Sequence, residues 1–414
     1  MKNFYFGVAT SAYQNEGGNI CNWKRWELLN HLEPCGNACD MWNNFEEDVK
    51  LLKNLGVNMF RFSIEWSRVE PQPNRFNEEV ILRYKSWVEL LLTNKITPVI
   101  TLSHFTLPIW VDERGGWGNR DIPALFMNYV SKVINTISNK YWITLNEPVL
   151  ECIHGWLHGT RPPGNDMDVK GCLNALNNMC MAHAMAYRCI KTTQPNSLVS
   201  IAKNVAYFSV EKWYRPFDYI TKRQIEKLYN YSFLDALVTG HVKFKLMDVS
   251  IDSNYVFMKD TLDFIGMNHY NRIYIGYNFC TTPNVIITMS RKNSKQNSMG
   301  WELHPKSMYY CLKKIYKKYK LPILITENGS CGDDTHNNYR IDYLTGCINY
   351  LKKARSEGVY VFGYNAWTLY DNFEWDDGYG PKFGLFSNNF ETQERRITLC
   401  GEIYKNIIKT SQTF

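Results

Sequence analysis

Two apolar, β-branched runs of this chain each end in a glutamate: Tyr141-Trp142-Ile143-Thr144-Leu145-Asn146-Glu147-Pro148 and Pro322-Ile323-Leu324-Ile325-Thr326-Glu327-Asn328-Gly329. A buried strand has no use for an ionisable side chain at its end, because burying an unpaired carboxylate costs several kcal/mol or forces a large pKa shift. Either glutamate alone is equally well read as a solvated loop residue or a neighbour of a helix cap. The pair points further. Both glutamates adjoin an asparagine and both follow a threonine closely. Two carboxyl groups at one site are what cleavage of a glycosidic bond requires: one to protonate the leaving oxygen, one to attack the sugar or activate water.

The elements that must position this pair recur along the whole chain. Eight short strand-like runs, Phe4 to Ala9, Met59 to Trp66, Thr97 to His104, Tyr141 to Glu147, Val199 to Asn204, Asp263 to Asn268, Pro322 to Glu327 and Val361 to Trp367, alternate with stretches of helical period. This alternation predicts an α/β fold, one (β/α)8 TIM barrel over residues 1–414, with its active site at the carboxyl ends of the strands. Residues Glu46 to Gly56 show one apolar stripe closed by glycine, as a barrel helix should. Polar residues cluster where the strands end: Arg61, His104, Asn146, Glu147, Asn204, Asn268, Tyr270 and Glu327. The long segments Ser209 to Lys259 and Asn271 to Gly300 are expected to shape the pocket entrance.

Composition excludes several alternatives. The chain is 45% hydrophobic and 21% charged, an ordinary globular balance, and its 15% aromatic content suits a pocket for carbohydrate, whose C–H faces stack on rings. The net charge of +7 comes with no recognised nucleic-acid reading motif, and the lysines from Lys313 to Lys320 are spaced like the wet face of a helix. No apolar run is long enough to span a membrane, and the first residues do not read as a signal peptide, so a cytoplasmic protein is expected. The twelve cysteines are irregularly spaced and read as reduced, buried thiols. Cys35 and Cys39 lack a second pair for zinc. His154 and His158 stand four apart but enclose Gly155, not the general-base glutamate of a metalloprotease helix.

Motifs in order from Phe4 to the C-terminus resemble glycoside hydrolase family 1, the β-glucosidase family. They are Phe6 to Gln14, Phe60 to Arg68, Thr101 to Pro108, the two glutamate runs, Asp263 to Tyr270, Ala366 to Trp375, and Phe383-Gly384-Leu385. The resemblance implies a retaining β-glycosidase with Glu327 as nucleophile and Glu147 as acid/base. Arg61 and Tyr270 would then hold Glu327, and Asn146 would bond the sugar 2-hydroxyl. Gln14, His104, Glu374 and Trp375 would bind the other hydroxyls, Trp367 would stack on the sugar face, and Asn268 and Phe383 would complete the pocket. It implies a small-molecule β-glycoside substrate, no cofactor and no metal; oligomeric state and the preferred glycone are left open.

The chain departs from the family pattern at Phe105-Thr106, where Trp-Asp is usual, removing one indole donor to the sugar, and at Lys382, where arginine is common. Four other functions fit the same barrel. A non-catalytic sugar-binding protein has no reason to keep Glu147, Glu327, Arg61 and Tyr270 together. A phospho-β-glycosidase would place a carboxylate, Glu374, against its phosphate. A thioglucosidase of the plant type would carry glutamine at position 147. A transglycosidase would use the same residues as a hydrolase.

Overall fold

The structure, a computed structural model, describes residues 4–278, 285–332 and 337–411. Eight parallel strands close into a barrel: β1 (Tyr5–Ala9), β2 (Met59–Ser63), β3 (Thr97–Thr101), β4 (Tyr141–Asn146), β5 (Leu198–Asn204), β6 (Ile265–Asn268), β7 (Ile323–Asn328) and β8 (Val361–Trp367). Each pairs with its sequence neighbour, and β8 closes the ring on β1 with Tyr5 opposite Gly363 and Ala9 opposite Trp367. These are the eight strands expected, most with trimmed ends; β5 begins one residue earlier, at Leu198, and β7 runs one residue further, to Asn328. β2 stops at Ser63 because Trp66–Val69 turns helical, its start capped by the Glu65 carboxylate accepting from the Ser67 amide. β6 begins at Ile265 because Asp263 leaves the ladder, accepting from the Val199 amide and pairing with Lys191 at 3.2 Å.

The helices cover the outer face of the strands. The stretch read as a barrel helix lies within Met41–Leu55, and Gly56 ends it at φ 75°, the left-handed geometry that favours glycine. In Lys306–Tyr319 the lysines stay wet while Met308, Cys311, Leu312 and Ile315 are buried. The C-terminal helix Leu399–Thr410 is tied to the first strand by the Tyr404 hydroxyl, which donates to the Gly7 carbonyl at 2.7 Å.

Alternation along the strands divides the core in two. Phe60, Phe62, Ile100, Val199, Ile201, Ile265, Met267, Ile323 and Ile325 face the helices. Met59, Val99, Tyr141, Ile143, Ala202, Phe264, Leu324 and Phe362 fill the barrel's interior. Arg61 stands two residues beyond Met59 on that inward phase, as Thr101 does beyond Val99. The polar site is therefore built directly above an apolar floor.

At β4 and β7 the alternation breaks. Pairing between β4 and β5 shifts register between Ile143 and Asn146, and pairing between β6 and β7 shifts between Ile325 and Glu327. Leu145 joins the outer core although Ile143 lies in the inner one. The irregularity inverts the phase and turns Asn146 inward, a standard use of a bulge beside an active site.

The segments expected at the entrance divide. Tyr207–Val210, Arg272–Tyr277 and Val285–Thr288 form a small sheet continuing from the carboxyl ends of β5 and β6. The hairpin of His241–Leu246 and Val249–Asn254 does not line the mouth. It packs on the helix Val169–Thr193, whose Arg188, near its C-terminal end, donates to the carbonyls of Phe257 and Lys259 in the segment that follows. Residues 279–284 of the second segment, Cys280 among them, lie outside the described residues. The cysteines of the described residues are all free, and all but Cys189 are buried.

Gly329, after the second glutamate, has a packing reason for its identity. A Cβ there would stand 2.1 Å from the Trp367 carbonyl oxygen on β8. Gly329→Ala is expected to push β7 and β8 apart and to cost about 1–3 kcal/mol, the usual range for overpacking. Urea denaturation measures this; a variant as stable as the parent would show that the strand ends yield freely.

Candidate active site

Glu147 and Glu327 end β4 and β7 at the same end of the barrel, and both are nearly inaccessible, 6% and 4% exposed. Glu147 has a left-handed backbone, φ 44°, and directly precedes a helical turn opened by Pro148. Together with the register shift, this lets consecutive residues Asn146 and Glu147 reach the same pocket, which a regular strand forbids.

The two carboxylates have different neighbours. Glu327 accepts from Arg61 Nη1 on one oxygen and from the Tyr270 hydroxyl at 2.5 Å on the other. Arg61 is fully buried and also donates to Thr101 Oγ1 at 2.9 Å, Asn146 Oδ1 at 2.8 Å and the Thr326 carbonyl at 3.4 Å. Glu147 accepts from Asn268 Nδ2 at 2.8 Å. The Asn268 amide is oriented by the Thr326 hydroxyl, which donates to its oxygen at 2.6 Å, so its nitrogen faces both Asn146 and Glu147. Burial pushes the Glu147 carboxyl up to about 7, and the negative charge of Glu327 pushes in the same direction.

Around this pair stand the other residues expected from sequence. Asn146 Nδ2 lies 3.1 Å from His104 Nε2. Since Asn146 Oδ1 already accepts from Arg61 and Asn268, the amide nitrogen donates and Nε2 accepts, so the neutral His104 carries its proton on Nδ1. That buried Nδ1–H has no partner among the described residues. Burial and the neighbouring Arg61 hold the His104 pKa well below the usual range, keeping the ring neutral. Gln14 donates to Glu374 at 3.3 Å, and burial raises Glu374 to about 8. Trp367 and Trp375 both lie roughly parallel to His104, with ring centres 6.1 and 6.3 Å away. Trp375 also stacks on Tyr13, and Phe383 packs in one apolar cluster with Trp367 and Tyr270. At the departure from the family pattern, Phe105 meets His104 and Trp375 edge to face, while the Thr106 hydroxyl donates to Glu65 at 2.8 Å. An aromatic surface remains there without its N–H.

Three contributors were not among the residues singled out from sequence. Thr101 anchors Arg61. Lys203 is wholly buried, donates to both the carbonyl and side-chain oxygens of Asn204 at 2.6 Å, and lies 5.1 Å from the Tyr229 ring centre. Burial lowers it to about 7 despite the field of Glu147. A lysine inside the apolar run Val199 to Asn204 was the available signal. Arg161 pairs with Asp376 at 2.8 Å and its charge reaches Glu374, opposing the rise caused by burial; nothing in its loop sequence marks it.

A carboxylate pair in an aromatic-walled cleft, at the carboxyl end of an eight-stranded parallel barrel, defines the class of two-carboxylate glycosidases. Comparison with known proteins narrows the class. The family model for glycosyl hydrolase family 1 matches residues 1–413. The chain is 32% identical to β-glucosidase A of Thermotoga maritima over 99% of its own length and 98% of the relative's, and 30% identical to β-glucosidase A of Acetivibrio thermocellus with the same coverage. Among solved structures, the family 1 β-glucosidase of T. maritima superposes with a TM-score of 0.92 at 31% identity, covering 99% of this chain and 98% of that one. The β-glycosidase of Pyrococcus horikoshii gives 0.90 at 31% identity, with coverage of 99% and 94%. This chain belongs to glycosyl hydrolase family 1 and is an O-glycosyl hydrolase of the β-glucosidase type.

The electrostatics of the pair are testable apart from turnover. Glu327→Gln removes a neighbouring negative charge and is expected to lower the Glu147 pKa, leaving it above the ordinary carboxylate value because burial, the larger cause, persists. Lys203→Met removes a positive charge and should move it up. Carbon-13 NMR of glutamate-labelled protein across pH follows both; shifts of the opposite sign would contradict the arrangement.

Proposed function

We propose that Glu327 is the nucleophile and Glu147 the acid/base of a retaining, double-displacement hydrolysis of small-molecule β-glycosides. The observation that carries this is the difference in environment. Glu327 accepts from a guanidinium on one oxygen and from a phenol on the other. Glu147 has one amide donor, is buried, and is raised to about 7, so that a large fraction of it carries its proton at neutral pH. In the first step Glu327 attacks the anomeric carbon, the glycosidic C–O bond breaks, and the leaving oxygen takes the proton of Glu147. In the second, Glu147 takes a proton from water as that water attacks the glycosyl-enzyme ester and releases Glu327. Two inversions give net retention.

The other residues hold the sugar. Asn146 Nδ2 has a second hydrogen beyond the one shared with His104, and we assign it to the 2-hydroxyl, where the contact strengthens as positive charge develops at the anomeric carbon. The unpaired Nδ1–H of His104 supports a role in donating to a sugar hydroxyl. Gln14, Glu374 and Trp375 are assigned to the remaining hydroxyls, Trp367 to the sugar face, and Phe383 to the wall behind it. Structures of the T. maritima enzyme with noeuromycin and with glucoimidazole support a small-molecule substrate. No helix among the described residues is long and apolar enough to cross a membrane. The many free cysteines support a reducing compartment such as the cytosol.

Glu327→Ala is expected to lower kcat for an aryl β-glucoside by several orders of magnitude; activity within about tenfold of the parent would sink the assignment. Glu147→Ala should retain glycosylation by substrates with activated leaving groups, and added azide should restore turnover with a β-glycosyl azide as product. An α-configured product would reverse the roles. In the parent, kcat/KM for substrates that need protonation should fall as pH rises through about 7, as Glu147 loses its proton.

Glu374 lies within the field of Arg161, which stays paired with Asp376, so removing Glu374 deletes one carboxylate beside the pocket. Glu374→Ser is expected to lower kcat/KM for the plain aryl β-glucoside at least about tenfold, consistent with about 1–3 kcal/mol for a lost buried polar partner. The 6-phosphorylated substrate should gain relative to it. An unchanged ratio of the two specificity constants would place Glu374 outside the sugar pocket.

A further inference from the structure

We propose that residues 212–223 form a docking surface for anionic lipid bilayers. In this segment, which opens the helix Pro216–Glu226, Trp213, Tyr214, Phe217, Tyr219 and Ile220 are each between 50% and 78% exposed. Five large apolar side chains exposed within eight residues of one segment are unusual on a protein surface, and tryptophan and tyrosine are the residues that favour the headgroup region of a bilayer. Phe217 touches Tyr277 with ring centres 5.5 Å apart, and Tyr277 pairs with Val285 on the strand that also exposes Ile286 and Ile287. The apolar surface therefore continues onto the small sheet.

Charge selects the occupant. Lys212, Arg215 and Arg223 lie among these rings, and no ion pair among the described residues neutralises them. The one acidic residue of the segment, Asp218, is buried and accepts from the amides of Lys212 and Tyr277. Glu226, at the helix end, is buried between Lys222 and Lys314. The exposed face is thus aromatic and cationic. Pairing this face with itself in a second copy would bring like charges together, whereas phosphatidylserine headgroups supply the opposite charge and the acyl boundary takes the rings. The strands Tyr207–Val210 and Arg272–Tyr277 leave the barrel at its carboxyl end, so docking here turns the pocket side toward the lipid.

The test is sedimentation of the full chain with phosphatidylcholine vesicles, with and without phosphatidylserine. The parent should bind only the phosphatidylserine vesicles, and binding should weaken as salt rises. Trp213→Ala/Tyr214→Ser and, separately, Arg215→Glu/Arg223→Glu should each reduce partitioning at least about tenfold, since both apolar insertion and charge contribute. Hydrolysis of a soluble aryl β-glucoside and thermal unfolding should not change in either variant, because the segment is exposed and holds no site residue. No binding by the parent, or equal binding by either variant, would overturn the proposal. So would a concentration-dependent dimer of the parent that Trp213→Ala/Tyr214→Ser abolishes, which would make the face a contact between copies.

Discussion

Placing Glu327 at the end of a buried strand requires a buried cation, and Arg61 is that cation. A carboxylate at this depth is tolerated only with a partner of opposite charge and further hydrogen bonds, because removing either ion leaves the other uncompensated in a medium that cannot solvate it. Arg61 meets the requirement from the opposite side of the barrel. It stands on the inward phase of β2, and its guanidinium reaches Glu327 on β7, Asn146 on β4 and Thr101 on β3. Asn146 and Thr326 in turn touch Asn268, which holds Glu147. Four strands are stitched through one fork of donors, a task that the fixed geometry of arginine suits and the single point charge of lysine does not.

That network also separates the two carboxylates chemically. Both are buried to a similar degree, so it is their partners that differ. Arg61 and Tyr270 hydrogen-bond one of them only, while Glu147 accepts from an amide and meets Arg61 as a charge without a hydrogen bond, beside the opposing charge of Glu327. The asymmetry is one of partners, and it is the kind that divides acid from nucleophile in a site built from two chemically identical side chains. Lys203 moderates the rise of Glu147 from behind β5, and being itself lowered to about 7 it titrates in the same range. The local charge balance is therefore set by a group of residues and not by either glutamate.

The surroundings of the carboxylate pair are organised differently, by rings. Trp367 and Trp375 both lie nearly parallel to His104, whose ring is kept neutral by burial and by the neighbouring Arg61. Phe105 meets His104 and Trp375 edge-on where a donor-bearing indole is usual in the family, so an aromatic ring stands there without an N–H donor. The exposed rings around Trp213 are outside this set and share no residue with it.

The barrel was legible in the chain because parallel strands buried on both faces must be apolar and β-branched, and the helices between them must show one stripe; both patterns are local. The two glutamates were legible for the converse reason, as charges at the ends of runs that otherwise exclude charge. The wider set of site residues came from motifs resembling a known family, and its geometry could not come from composition or period. Only the closed barrel brings Arg61 to Glu327 across more than two hundred residues of sequence. Only the register shifts on β4 and β7, and the left-handed turn at Glu147, let Asn146 and Glu147 face one pocket against the alternation their strand would impose. Lys203, read from sequence as part of a strand, became a site neighbour only once β5 closed beside β4. The segment from Ser209 to Lys259 is expected at the entrance from its chain position, but its hairpin from His241 to Asn254 packs on the side of the helix Val169–Thr193. Period and composition report which face of an element is buried; what that face meets is decided by closure of the sheet and by where its ladder is interrupted.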